Sequence, residues 1–198
     1  MKLSKIKMLI KETKRAYVLP DERGMQWIGD GMSMYPADGG IEFTKENILS
    51  IMDIDQNKQK QYTVREGGVI LDVLGLEPRA DEVKLYPDFS VDYLGDLITL
   101  MHTEDGLVVG VEQKRIAPAD GELPLEFRLR RSGRGYYAVA CYADMFCNGL
   151  IAPVEHRIGD TIMKWMQHAL EQPKGYYTRT GNAIADDMKL SIEEADNE

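Results

Sequence analysis

Arg128, Arg130, Arg131 and Arg134 form the densest basic group in the chain, with Tyr136 and Tyr137 directly after them. Guanidinium groups neutralise phosphates through charge-assisted hydrogen bonds, and tyrosine rings can stack on bases. A second basic group opens the chain, where Lys2, Lys5, Lys7, Lys11, Lys14 and Arg15 stand against Glu12 alone. From the two groups Lys5, Lys7, Lys11, Arg128, Arg130 and Arg134 are the candidate DNA contacts. They suit phosphate neutralisation and are not arranged to read base edges. The plainer reading is a solvated surface balanced by nearby acids, with the tyrosines packing in strands.

Other chemistries find less support. Asp53, Asp55 and Asn57 begin like a calcium loop, but Lys58 and Val64 occupy the places of the turn glycine and the bidentate glutamate. His102, His156 and His168 lack zinc-ligand spacing, and Cys141 and Cys147 do not form a Cys-x-x-Cys pair. Cys141 beside a histidine would make a nucleophile, yet Ala138, Val139, Ala140 and Tyr142 around it read as a buried strand. No serine sits in a nucleophile elbow and no glycine-rich loop carries a phosphate-binding lysine. No catalytic residue, metal or cofactor is therefore assigned. The reading leans away from an enzyme, with a site assembled from distant residues kept as an alternative.

Composition is that of a globular protein: 198 residues, 43% hydrophobic and 29% charged. A net charge of -9 argues against a protein that coats nucleic acid. The acids concentrate at the end, where Asp186, Asp187, Glu193, Glu194, Asp196 and Glu198 outnumber Lys189. Only Met8, Leu9 and Ile10 follow the first lysines before Lys11, which is too short for a secretory signal. No apolar run approaches membrane-spanning length. Two cysteines in an apolar stretch fit a reducing compartment, so a cytoplasmic location without membrane contact is expected.

The elements that would position the basic groups follow from periodicity. Leu3, Ile6, Leu9 and Ile10 predict an amphipathic helix over 3–14 with lysines outside. Strands are expected at 16–19, 25–28 and 32–35, separated by a turn at 20–24 and by Gly29-Asp30-Gly31. Thr44 is the expected N-cap of a helix over 45–52, with Asn47 where a full capping box needs Glu or Gln. Residues 53–60 read as loop, and 61–65 and 69–74 as strands. The charged, proline-containing stretch 79–90 is the candidate internal boundary.

Beyond it, 96–102 and 107–112 flank the hairpin signal Glu104-Asp105-Gly106. Leu123, Leu125, Phe127 and Leu129 alternate with Glu126, Arg128 and Arg130, predicting a strand with one wet face. Strands at 136–142 and 145–152 complete a meander. Ile162, Trp165, Met166 and Ala169 predict a helix over 160–171, stopped by Pro173. The fold class is α+β, a mostly antiparallel sheet with flanking helices. It divides into an N-terminal half 1–78, a C-terminal meander half with closing helix 79–172, and a charged tail 173–198.

The succession Gln113-Lys114-Arg115-Ile116-Ala117-Pro118, then 123–131, then 136 to Ile151-Ala152-Pro153-Val154, resembles the end of a sliding-clamp domain. Trp27-Ile28-Gly29-Asp30-Gly31 is similar to the strand and Asp-Gly turn of such domains. A three-domain bacterial clamp is about twice this length, so two reduced domains, or one with additions, would be needed. The overall texture resembles a bacteriophage or prophage protein. The resemblance implies a clamp-like pseudo-repeat, a homo-oligomer, a basic first helix facing DNA, and an accessory role in DNA metabolism. A hydrolase and a protein–protein adaptor without DNA contact remain as alternatives.

Overall fold

The computed structural model describes residues 2–37, 40–67, 72–93 and 95–154. The chain runs α1 (Leu3–Thr13), β1 (Arg15–Pro20), β2 (Gln26–Gly29), β3 (Ser33–Pro36), α2 (Ile48–Ile51), α3 (Gln56–Gln59) and β4 (Thr63–Glu66). It continues through β5 (Val83–Tyr93), β6 (Asp96–His102), β7 (Val108–Glu112), α4 (Gln113–Ile116), β8 (Leu125–Arg131), β9 (Tyr137–Ala143) and β10 (Phe146–Ile151). The fold is α+β, with a mostly antiparallel sheet and short helices. Its strand order is β4-β1-β2-β3-β10-β9-β8-β5-β6-β7. Among the described residues only β4 pairs parallel, beside β1.

Two meanders make the centre of this sheet. In each, a helix precedes three strands: α1 before β1-β2-β3, and α4 before β8-β9-β10. They join edge to edge through β3 and β10, which pair antiparallel with Met34 opposite Leu150 and Ser33 opposite Ile151. Beyond β8 the sheet bends within β5. Residues 83–85 pair with β8, while Tyr86 to Tyr93 pair with β6 across an irregularity between Pro87 and Phe89. A proline without an N–H is tolerated at such a bulge. The Val154 amide donates to the Gly110 carbonyl at 2.9 Å, so the chain leaving β10 reaches β7.

The alternation of side chains gives the sheet two apolar faces. The first carries Val18, Ile28, Tyr35, Phe127, Leu129, Val139 and Cys141, and packs on Ile6, Leu9 and Ile10 of α1 and Ile48 and Leu49 of α2. The second gathers Leu19, Trp27, Met34, Ala138, Ala140, Tyr142, Cys147 and Leu150 with Leu74. Helix α1 ends because Lys14 adopts a left-handed conformation, its amide bonding the Ile10 carbonyl.

Several expectations change. The helix expected over 45–52 is the single turn α2. Before it, the Thr44 amide donates to Asn47 Oδ1 at 2.7 Å and the Asn47 amide to Thr44 Oγ1 at 3.3 Å. Asparagine thus serves in the reciprocal capping arrangement. The expected loop 53–60 contains α3, whose start is satisfied by Asp55 accepting from the Asn57 amide. Stretch 79–90 holds most of β5. The strand expected over 69–74 is not formed at 72–74, and its first residues lie outside those described. The helix expected over 160–171, the tail 173–198, His156 and His168 also lie outside the described residues. No helix among the described residues is long and apolar enough to cross a membrane.

Candidate nucleic-acid interface

The outer side of α1 presents Lys5, Met8, Lys11 and Glu12 to solvent. Lys7 is drawn into an ion pair with Asp53 at 2.7 Å, and Lys2 into a looser one with Asp120 at 3.3 Å. The Lys7 ammonium lowers the Asp53 carboxyl from its ordinary value, first by hydrogen bonding and then by charge. Lys14 lies over the Tyr62 ring, 4.9 Å from its centre. Lys5 and Lys11 have no carboxylate within ion-pair distance among the described residues. They are the ammonium groups on this helix most open to a phosphate.

Helix α4 lies beside α1, tied to it by Lys114. The Lys114 ammonium is 2.7 Å from both Glu12 and Asp96, and 3.5 Å from Glu112. Burial works to lower its pKa, but hydrogen bonds to Asp96 and Glu12 outweigh that and raise it. Arg115 turns inward. It bonds Asp30 at 2.5 Å and Glu112 at 2.8 Å, while its carbonyl accepts from the Tyr35 hydroxyl at 2.6 Å. Asp30 in turn accepts from the Met32 and Ser33 amides, closing the β2–β3 turn at Gly31. Both charges are nearly sealed from water, so the pair fastens α4 to that hairpin.

The arginines lie elsewhere. In the β8–β9 ladder Arg128 stands opposite Ala140 and Arg130 opposite Ala138, both alanines of the second apolar face. The six candidate residues therefore do not form one surface, because the lysines ride on the helix covering the opposite face. Arg128 is held by Glu126 at 2.7 Å and lies over the Tyr142 ring at 5.2 Å. Arg134 is exposed in the β8–β9 turn.

Arg130 is a correction. Expected on a wet face, it is 0% exposed. Its Nε donates to Glu82 at 2.5 Å, one terminal nitrogen to the Val73 and Gly75 carbonyls at 2.6 and 3.0 Å, and the other to the Glu77 carbonyl at 3.0 Å. The Tyr142 hydroxyl completes the cage, 2.5 Å from the guanidinium and 2.8 Å from Glu82. Burial first, and then the hydrogen bond and charge of Glu82, raise the Tyr142 pKa against the pull of Arg130. A guanidinium with every donor direction taken cannot reach a phosphate. The alternation located this residue on the correct side of β8 but not in its surroundings. Alanines at both facing positions, which leave room for a long side chain, were the available signal.

Two other features bear on chemistry. His102 Nδ1 is 2.8 Å from Asp88 and stacks on Tyr86, whose hydroxyl is committed to Glu104. This exposed pair can orient an imidazole, but no nucleophilic side chain adjoins it among the described contacts. A cleft of about 820 Å³ lies between residues 21–26, 40–42 and 74–79, with the Arg23–Glu77 pair on its rim. Cys141 and Cys147 are buried free thiols on opposite faces of the sheet. Burial pushes the Cys147 thiol up to about 11 and Cys141 well above its ordinary value, which matches the structural reading of these residues. Comparison with protein families, curated proteins and solved structures finds no match to this chain.

Proposed function

We propose that the protein is a non-enzymatic accessory protein of a phage or other mobile element, clamp-like in plan, that acts in DNA metabolism in the cytoplasm. The observation that carries this reading is the paired arrangement of two helix-plus-meander units. They meet at β3 and β10, with α1 and α4 side by side on one face. Such an arrangement would suit a pseudo-repeat. It puts Lys5 and Lys11 on an outward helical face, where they would neutralise duplex phosphates without regard to sequence. Self-association would set several such faces around one duplex, so that local basic surface rather than net charge governs the contact.

The test is binding of the native oligomer to labelled duplex DNA at low ionic strength, followed by fluorescence anisotropy. The Lys5→Glu, Lys11→Glu double variant is expected to bind more weakly on every sequence. Its salt dependence should be shallower by about two units of slope for each subunit that contacts the duplex, one for each lost phosphate contact. If the unaltered oligomer ignores DNA at low salt, the DNA role ends. A protein–protein adaptor then leads, a reading favoured by Met145 and Phe146, which are 66% and 54% exposed at the β9–β10 turn.

A further inference from the structure

We propose that residues 72–79 are a lid over the second apolar face, able to open as a unit while the helix-covered core stays folded. This stretch belongs to the connection between β4 and β5, and its apolar contribution is small. Leu74 is buried in the second cluster and Leu76 is partly buried against it. Polar anchors supply most of the rest. Arg130 grips the carbonyls of Val73, Gly75 and Glu77. Asp72 accepts from the Ser132 hydroxyl at 2.8 Å and the Gly133 amide at 2.7 Å. The Leu76 carbonyl accepts from the Cys147 amide at 2.8 Å.

Detaching such a segment exchanges its hydrogen bonds for bonds to water, and the guanidinium it releases is hydrated rather than stranded. Lifting α1 or α2 would instead expose Ile6, Leu9, Ile10, Ile48 and Leu49 together with the sheet face beneath them. The lid therefore belongs to the low-stability end of the molecule. Because 74–79 also form one wall of the 820 Å³ cleft, opening would extend the cleft toward Trp27, Tyr142 and Cys147.

The two cysteines report the two faces separately. Cys147 lies under the lid, and Cys141 lies in the helix-covered core. In the full chain, Cys141→Ala and Cys147→Ala each leave a single thiol, whose reaction with an aromatic disulfide is followed at neutral pH without denaturant. Cys147 is expected to react at least about tenfold faster than Cys141, as opening of one region below the global transition requires. Low urea should leave the Cys147 rate nearly constant, and Asp72→Asn should raise it without changing the Cys141 rate. Amide exchange on the unaltered protein gives the same comparison without substitution: the Cys147 amide should exchange faster than that of Val139. Equal labelling rates that rise together with urea, or equal exchange of the two amides, would overturn the proposal.

Discussion

Arg130 and Glu82 face each other at 2.5 Å, and neither side chain reaches water. Their sequence neighbours gave little warning, since Glu82 follows a charged stretch and Arg130 sits among three other arginines. With Tyr142 they close a network in which each member depends on the others. Arg130→Ala should cost about 3–5 kcal/mol, because it leaves a carboxylate buried without its partner. Urea denaturation measures the loss. Arg130→Ala combined with Glu82→Gln should cost less than the sum of the two single changes, as coupled groups do.

The separation of basic residues on two faces makes a second prediction. Under the proposed DNA role, Arg128→Ala and Arg134→Ala should leave the affinity of the protein for duplex DNA unchanged, while Lys5→Ala and Lys11→Ala each lower it. A titration in which the arginine variants lose affinity as the lysine variants do would refute the helical face as the binding surface.

Gly29 is predicted to resist substitution. A Cβ placed there would lie 1.8 Å from the Ser33 carbonyl oxygen across the β2–β3 turn, and backbone cannot yield as a flexible side chain can. Gly29→Ala should destabilise by about 3 kcal/mol, at the upper end of overpacking costs. Gly24→Ala, where nothing lies within 4 Å, is the milder control, strained only by its positive φ. Thermal melting of the two variants separates crowding from backbone strain.

Acid should loosen the connection at Asp72. Its carboxyl is held below the ordinary aspartate value, first by the Ser132 hydroxyl and also by the Gly133 amide. A folded-state pKa below the unfolded one contributes stability that is complete above the unfolded value and lost as pH falls through the folded one. Protection of the Gly133 amide should therefore decline below pH about 4. In Asp72→Asn it should be low already at neutral pH, with no further acid step. The group is only partly buried, so the effect is local and small.

What was legible in the sequence was what repeats within a few residues. Helix α1 and strands β6 to β10 follow from side chains at helical or alternating spacing, and the hairpin at Gly106 from its turn residues. Strand β5 was hidden because Pro87 and the irregularity beside it break the alternation. The pairing of β1 with β4 joins strands separated by two further strands and two helices, and nothing local encodes it. The candidate basic residues were misjudged by place, Arg130 being buried and the rest divided between two faces. Alternation assigns a side chain to a face, but whether that face is wet depends on what crosses it. Here the cover is made through main-chain carbonyls of residues 73, 75 and 77, which leave no trace in side-chain pattern.

The seam between β3 and β10 also governs how the chain must be made. Met34 and Leu150 are neighbours in the sheet but are synthesised far apart, so a nascent chain carries β3 as an unpaired edge until nearly the whole described sequence has emerged. Loop closure over that separation must come before the seam contributes any contact energy, which places this protein among slow, non-local folders. An open apolar edge during that interval is a template for pairing with another chain. Premature termination anywhere before residue 146 would therefore release a fragment that is incomplete at its centre rather than at its margin, and correspondingly prone to aggregate.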